Sequence, residues 1–255
     1  MNNVVFQVNI KGHRVKPEFE YSVKSWANWC KKNGFEHFVL SEPINDLTYM
    51  NANWHKFYVL EMLENEGIDC EQVCIVDADT IVHPDCPNFF LETDNKFGVV
   101  QTDGCYEWVN RSISKYGEFL FPDVDIKPWT YFNSGFMVLN KSHREFCDKV
   151  YEFYNENRDN VVTAQEQFLV GTDQTPINFL TRRFDVELKF LPNCYNLQDM
   201  YRKNLLHVDP RCWWPDDLNN LYSSGWVYHF NSIPQNQMGR TAGYWMERVY
   251  KDLYE

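Results

Sequence analysis

The chain has 255 residues, 17% aromatic and 24% charged, with a formal net charge of −12. That length supplies ample core for one large domain or two small ones, and the acidic balance excludes a general electrostatic grip on nucleic acid or on an anionic membrane surface, which need a basic face. No window reaches the apolar length of a transmembrane segment, and the start lacks a charged region followed by an apolar block, so a cytoplasmic location is the expectation.

In chain order, Val4–Ile10 is rich in β-branched residues and reads as a first strand, followed by a turn at Gly12 and Pro17. Phe19, Val23, Trp26 and Cys30 fall at helical spacing, and Gly34 closes that helix. His37–Leu40 is a second strand. Asn53 is a candidate cap for a helix carrying Trp54, Phe57, Tyr58 and Met62 to a stop at Gly67, and Gln72–Val76 is a third strand. Strand and helix in alternation are the pattern of a mainly parallel α/β sheet. Phe97–Gln101 is a further strand, and Gly104–Trp129 reads as a long, mostly irregular functional loop with some helix. Tyr131–Asn140 combines a polar turn with an apolar strand. Ser142 with Glu145 makes a capping box for a helix buried through Phe146, Val150, Phe153 and Tyr154, and Thr163–Glu166 repeats the capping pattern. Asp173-Gln174-Thr175-Pro176 looks like a helix start. Val186–Leu191 is a late strand, Asn193–Asp217 is loop-like, Trp226–Phe230 is a short strand carrying His229, and Gly239–Glu255 ends in a helix around Trp245, Val249 and Tyr250. The economical arrangement is one domain over 1–255. The eight cysteines form no C-x-x-C pair, which argues for reduced, buried thiols rather than a zinc ribbon or disulfide scaffold.

The stretch Cys74–Pro84 delivers Asp77 and Asp79 to the end of a strand. Side chains alternate along an extended chain, so the two acids point the same way. They repel unless a cation sits between them, and a divalent metal with oxygen ligands is the usual solution. The alternative is a turn in which the acids cap backbone amides. A parallel α/β sheet binds ligands beyond the carboxyl ends of its strands. Neither G-x-G-x-x-G nor G-x-x-x-x-G-K-[ST] is present, so a bound diphosphate would need a cation to offset its charge.

Asp77-Ala78-Asp79, Phe132-Asn133-Ser134-Gly135, Asp173-Gln174, Leu191-Pro192-Asn193-Cys194-Tyr195-Asn196-Leu197 and His229-Phe230 occur in this order and rough spacing in glycosyltransferase family 8, the glycogenin-like enzymes, which the chain resembles from its first strand to about Arg240. The resemblance implies a single GT-A (Rossmann-like) nucleotide-diphospho-sugar transferase domain, with the part after about residue 193 completing the metal and acceptor site. It implies a metal site at Asp77, Asp79 and His229 for Mn²⁺, or Mg²⁺ in its place. Asp77 would also touch the ribose of a UDP-sugar, Asn9 and Lys56 would contact the nucleotide, and Asn133, Asp173 and Gln174 would line the donor-sugar pocket. Asp173 and Gln174 are the candidate catalytic pair. The implied reaction moves a hexose, glucose or galactose, to a carbohydrate or other hydroxyl acceptor with retention of anomeric configuration. Each residue also has a local reading: His229 as a core histidine, Asn133-Ser134-Gly135 as a turn, Asp173 as a helix cap, Lys56 as a solvated helix lysine. Trp213, Trp214 and Trp226 suit either a sugar face or the core.

The chain departs from the family after His229, where the usual Lys-Pro-Trp is missing; Arg240 is the candidate replacement on the diphosphate. The segment after Asn9 matches the usual uridine loop only loosely. Two other readings compete: a nucleotide-sugar-binding protein without turnover, and a haloacid-dehalogenase-like phosphatase with Asp77 as nucleophile, for which Lys141 would be a poor lysine partner.

Overall fold

The apolar runs at 4–6, 73–76 and 136–139 are bulky at consecutive rather than alternate positions, as in strands covered on both faces. The computed structural model describes residues 2–10, 16–168, 173–206, 218–234 and 240–255. The strands are β1 (Asn3–Val8), β2 (Glu36–Leu40), β3 (Gln72–Val76), β4 (Thr80–Val82), β5 (Phe97–Gln101), β6 (Phe132–Asn140), β7 (Leu188–Leu191) and β8 (Val227–His229). The helices are α1 (Phe19–Asn33), α2 (Val59–Asn65), α3 (Tyr106–Leu120), α4 (Arg144–Phe168), α5 (Gln174–Arg183), α6 (Asn219–Tyr222) and α7 (Ala242–Tyr254).

Six strands form one sheet in the order β2-β1-β3-β6-β5-β7. Five run the same way and β6 runs against them, so the expected mainly parallel sheet forms with one reversed strand near its middle. Its two faces are read off β3: Val73 and Ile75 join one apolar cluster with residues of α2, α3, α4 and α5, whereas Cys74 and Val76 join the cluster of α1. In the second cluster Trp29 stacks on Phe89 at 5.1 Å between ring centres. Full burial of a side chain such as Phe89 contributes about 1.5–3 kcal/mol. A separate antiparallel pair, β4 with β8, packs through Ile81 and Tyr228 into a third cluster with Trp245, Met246 and Val249 of α7.

Several local expectations give way to longer-range packing. The segment Gly104–Trp129 is not mostly irregular: α3 fills fifteen residues of it, burying Val109, Ser112 and Tyr116 at helical spacing despite a polar composition. Asn53 does not cap a helix but lies inside a 3₁₀ segment, Ala52–Tyr58, that runs into the short α2. The cap before α4 is Asn140, whose side chain accepts from the Ser142 amide while its own amide donates to His143 Nδ1; Ser142 is inside that turn, and Thr163 is inside α4. Gly34 stops α1 as expected, at φ +71°. Trp226 packs against the second cluster and edge-on to His83, which favours its core reading. Gly12, Trp213, Trp214 and the stretches 207–217 and 235–239 lie outside the described residues. No described helix is long and apolar enough to cross a membrane.

Candidate active site and cation centre

The acid pair sits at the carboxyl end of β3, but on a turn rather than on the pleat of the strand. Thr80 Oγ1 donates to the Asp77 carbonyl (2.7 Å) and accepts from Trp26 Nε1 (2.9 Å), closing Asp77-Ala78-Asp79-Thr80 and tying it to α1. The backbone is thus a turn, while the two carboxylates still converge on one point. Register brings the third group. In the β4–β8 pair Thr80 lies opposite His229, and the amide of Phe230 donates to the Asp79 carbonyl at 2.8 Å. One donor atom each from Asp77, Asp79 and His229 lie within 4.8 Å of one another.

β6 supplies the adjoining wall. Against β5 its register jumps from Met137↔Val99 to Asn133↔Val100, so three residues bulge out of the ladder. Through this bulge the Gly135 carbonyl accepts from the Asp77 amide at 3.0 Å. A Cβ on Gly135 would fall 2.5 Å from His229 Cε1 and 2.8 Å from Asp77 Oδ2, so glycine is required by close approach. Asn133 is therefore in a strand, not a tight turn. α5 is clamped onto this strand by Asn178, which exchanges hydrogen bonds of 2.9 Å with both backbone groups of Phe132. That contact delivers Asp173 and Gln174 to the site. The Asp173 side chain does not cap α5; its Oδ2 lies 2.8 Å from Lys56 Nζ, which also sits 3.1 Å from Asp77 Oδ1 and donates to the Ser134 carbonyl. Lys56, at 3% exposure, is far from a solvated helix lysine.

Two neighbouring cavities meet here. One, of about 290 Å³, is lined by Asn9, Lys56, Asp77 and Asp79 among others. The other, of about 270 Å³, is lined by Asp77, Asp79, Asn133, Asp173, Gln174 and His229, together with Thr102, Trp108, Gln198, Asp199 and Arg202. Eight of the nine candidate residues from the sequence thus line one cavity or both. Arg240 lines neither; its guanidinium lies 5.8 Å from the Trp245 ring. Lys141 is at the opposite end of the sheet, where Asn140 pairs with Gln72, and is exposed in an ion pair with Asp69, away from the acid pair.

The charges explain one another. Burial by itself would push Lys56 down, but Asp173 and Asp77 more than offset it, so the ammonium is held above its ordinary range. Burial likewise lowers His229, and the Asp79 carboxylate, 3.2 Å from Nε2, reverses the direction and raises it. Asp79 is depressed because the imidazole outweighs its own desolvation. Asp77, with 38% of its side chain exposed, is raised: loss of hydration is the largest cause, and Lys56 and His229 offset only part of it. Two carboxylates and an imidazole nitrogen directed at one point are a donor set that fits a divalent cation of intermediate hardness.

The amide wall is already hydrogen-bonded. Asn133 Nδ2 donates to Gln174 Oε1 (2.9 Å), and Asn133 Oδ1 accepts from the Gly135 amide (2.8 Å) and from Asn196 Nδ2 (3.0 Å). The second N–H of Asn133 has no partner among the described residues. Sequence reasoning missed Asn196, although it stands inside the quoted Leu191–Leu197 segment, and it missed Asp199, 5% exposed, at φ +53° and paired with Arg202. Thr102, 5% exposed, also lines the cavity, with no partner for its hydroxyl among the described residues.

No protein-family model and no curated protein matches the sequence. Solved structures do. The chain is similar to a glycosyltransferase involved in the glycosylation of the major capsid of PBCV-1, with a TM-score of 0.59 at 11% identity over 98% of this chain and 100% of that one. It is also similar to the galactosyltransferase LgtC in complex with donor and acceptor sugar analogues, at 0.53 and 14% over 99% and 96%. A third is the glycosyltransferase GlyE of Streptococcus pneumoniae TIGR4, at 0.53 and 14% over 99% of this chain and 63% of that one. At such identities the likeness is one of fold. The chain has the GT-A glycosyltransferase fold, and its carboxylate turn and histidine strand fall at the carboxyl end of the sheet, where ligands of such sheets bind.

Proposed function

We propose that the protein is a glycosyltransferase that moves a hexose, glucose or galactose, from a UDP-sugar to a hydroxyl acceptor with retention, as a single domain of the glycogenin-like kind. The observation that carries this reading is the convergence of Asp77, Asp79 and His229 on the cavity that Asn133, Asp173 and Gln174 also line.

Asp77, Asp79 and His229 would hold the cation, with Mn²⁺ suiting the mixed oxygen and nitrogen donors and Mg²⁺ as a substitute. When bound, the cation supplies positive charge against the diphosphate and eases the departure of UDP. The remaining roles fall to the chain itself. The cavity beside Asn9, Lys56 and Asp77 takes the nucleotide. The open N–H of Asn133 holds a sugar hydroxyl. Asp173 and Gln174 face the sugar, where a carboxylate favours positive charge developing at the anomeric carbon. Lys56, 2.8 Å from Asp173 Oδ2, supplies the counter-charge beside it. Attack on the face that UDP leaves is the default, since the carboxylate nearest the wall, Asp173, is held in an ion pair.

A binding protein without turnover is the second reading, favoured by the position of Arg240 away from both cavities. Purified protein with UDP-glucose or UDP-galactose separates them: slow release of UDP that requires Mn²⁺ and is lost in Asp79→Ala is the expected result. Tight UDP-sugar binding without hydrolysis or transfer would favour the binder, equal binding in the presence of a chelator would overturn the cation, and an inverted product by NMR would overturn retention.

A further inference from the structure

The hydrogen bonds behind the cation centre have a direction that can be worked out atom by atom. A backbone N–H only donates, and the Gly135 amide lies 2.8 Å from one terminal atom of the Asn133 side chain, so that atom is the oxygen. Asn196 presents a group 3.0 Å from the same oxygen, and this group must be its NH₂. The other terminal atom of Asn196 is then its oxygen, 3.0 Å from His229 Nδ1. An amide oxygen only accepts, so Nδ1 carries the proton. Nε2 faces Asp79 Oδ1 at 3.2 Å, so the protonated ring donates on both sides; in the neutral ring the Nδ1–H kept by Asn196 leaves Nε2, on the cavity side, with the lone pair to give. The second branch agrees: Asn133 NH₂ meets Gln174 Oε1, which also receives the Ser134 amide at 3.4 Å. Asn196 is 1% exposed and His229 3%, so water does not compete for these groups.

We infer that Asn196 is a positioning residue of the cation centre: oriented by the Gly135 amide through Asn133, it holds His229 as the Nδ1–H tautomer with Nε2 aimed beside Asp79, and it joins that ring to the Asn133–Gln174 wall. The cation half of this inference rests on the reading above; the tautomer half does not. Asn196 lines neither cavity and acts through the histidine. Outer partners of this kind commonly change metal affinity or activity 10–100-fold.

The test combines ¹⁵N NMR of ring-labelled histidine with Mn²⁺ titration by EPR in the absence of nucleotide. His229→Gln identifies the His229 signals, and the pH is set where the ring is neutral. The expected wild-type spectrum is that of an Nδ1–H ring. Asn196→Leu should lose that signature and bind Mn²⁺ about 10–100-fold more weakly. Asn196→Asp, whose carboxylate still accepts from Nδ1, should keep the signature and most of the affinity, although it no longer donates to Asn133. An Nε2–H ring in the wild type overturns the inference whether or not any variant folds, and so does a folded Asn196→Leu with unchanged Mn²⁺ affinity. Wild type that binds no Mn²⁺ yet shows the Nδ1–H ring defeats the cation reading and supports the positioning by Asn196.

Discussion

Lys56 Nζ lies 2.8 Å from Asp173 Oδ2, with the two side chains 3% and 4% exposed. The pair links the 3₁₀ segment before α2 to the head of α5, and a second contact of the same ammonium to Asp77 reaches the end of β3. Removing the cation strands a buried carboxylate. Lys56→Met is expected to cost about 3–5 kcal/mol of folding stability. Asp173→Asn in the same chain should recover part of that loss, because the stranded charge is then gone. Urea unfolding of the two single variants and the double one measures the coupling, and simple additivity would contradict the buried pair.

Among the described glycines, Gly135 is the one whose added Cβ would meet the candidate cation ligands. Alanine there would drive His229 and Asp77 apart, since its Cβ would need space 2.5 Å from one and 2.8 Å from the other. Overpacking of this kind costs about 1–3 kcal/mol, so Gly135→Ala should fold. Its Mn²⁺ affinity, measured by calorimetry, should drop at least as far as that of Asn196→Leu, because it displaces two ligands instead of loosening one. Wild-type affinity in the alanine variant would show that the three groups do not act together.

His37 offers a pH dependence away from the site. Burial pushes its imidazole down to about 4, and its Nε2 contacts Gln7 Oε1 at 2.9 Å. The unfolded chain takes up this proton near the ordinary histidine value of about 6.5, before the folded chain does. Between those two values the unfolded state binds more protons, so stability falls as the pH drops from about 6.5 towards about 4. Thermal unfolding across that range should show a shallower acid loss for His37→Gln than for wild type. Parallel curves for the two proteins would assign the acid sensitivity elsewhere.

Much of the frame is legible in the residues. The 3.6-residue spacing of Phe19, Val23, Trp26 and Cys30 with Gly34 behind it reads as α1, and the structure agrees to within a residue. The β-branched runs that become β1, β3 and β5 are equally plain. α3 was hidden because its buried face is carried by Val109, Ser112 and Tyr116, a mixture that breaks any simple apolar period. The cap of α4 was misplaced because Ser142 and Glu145 satisfy the pattern, whereas Asn140 makes the bonds. At the site, Asp77 and Asp79 could be named from their chemistry, whereas His229 entered only through the family resemblance. The roles of Lys56 and Asn196 could not be named from chemistry, since a lysine on a helical stretch and an asparagine in a loop are ordinary until their neighbours are known.

The sequence by itself therefore determined the runs that become β1, β3 and β5, helix α1 with its glycine stop, and the two carboxylates that call for a cation. Those are properties of spacings of two to four residues and of functional groups. Only the tertiary structure decided that β6 runs against its neighbours with a bulge at 134–136, that Thr80 stands opposite His229, and that Lys56 is buried between two carboxylates. These depend on strand register and on charges meeting across separations of 21 to more than 100 residues, for which no local period exists.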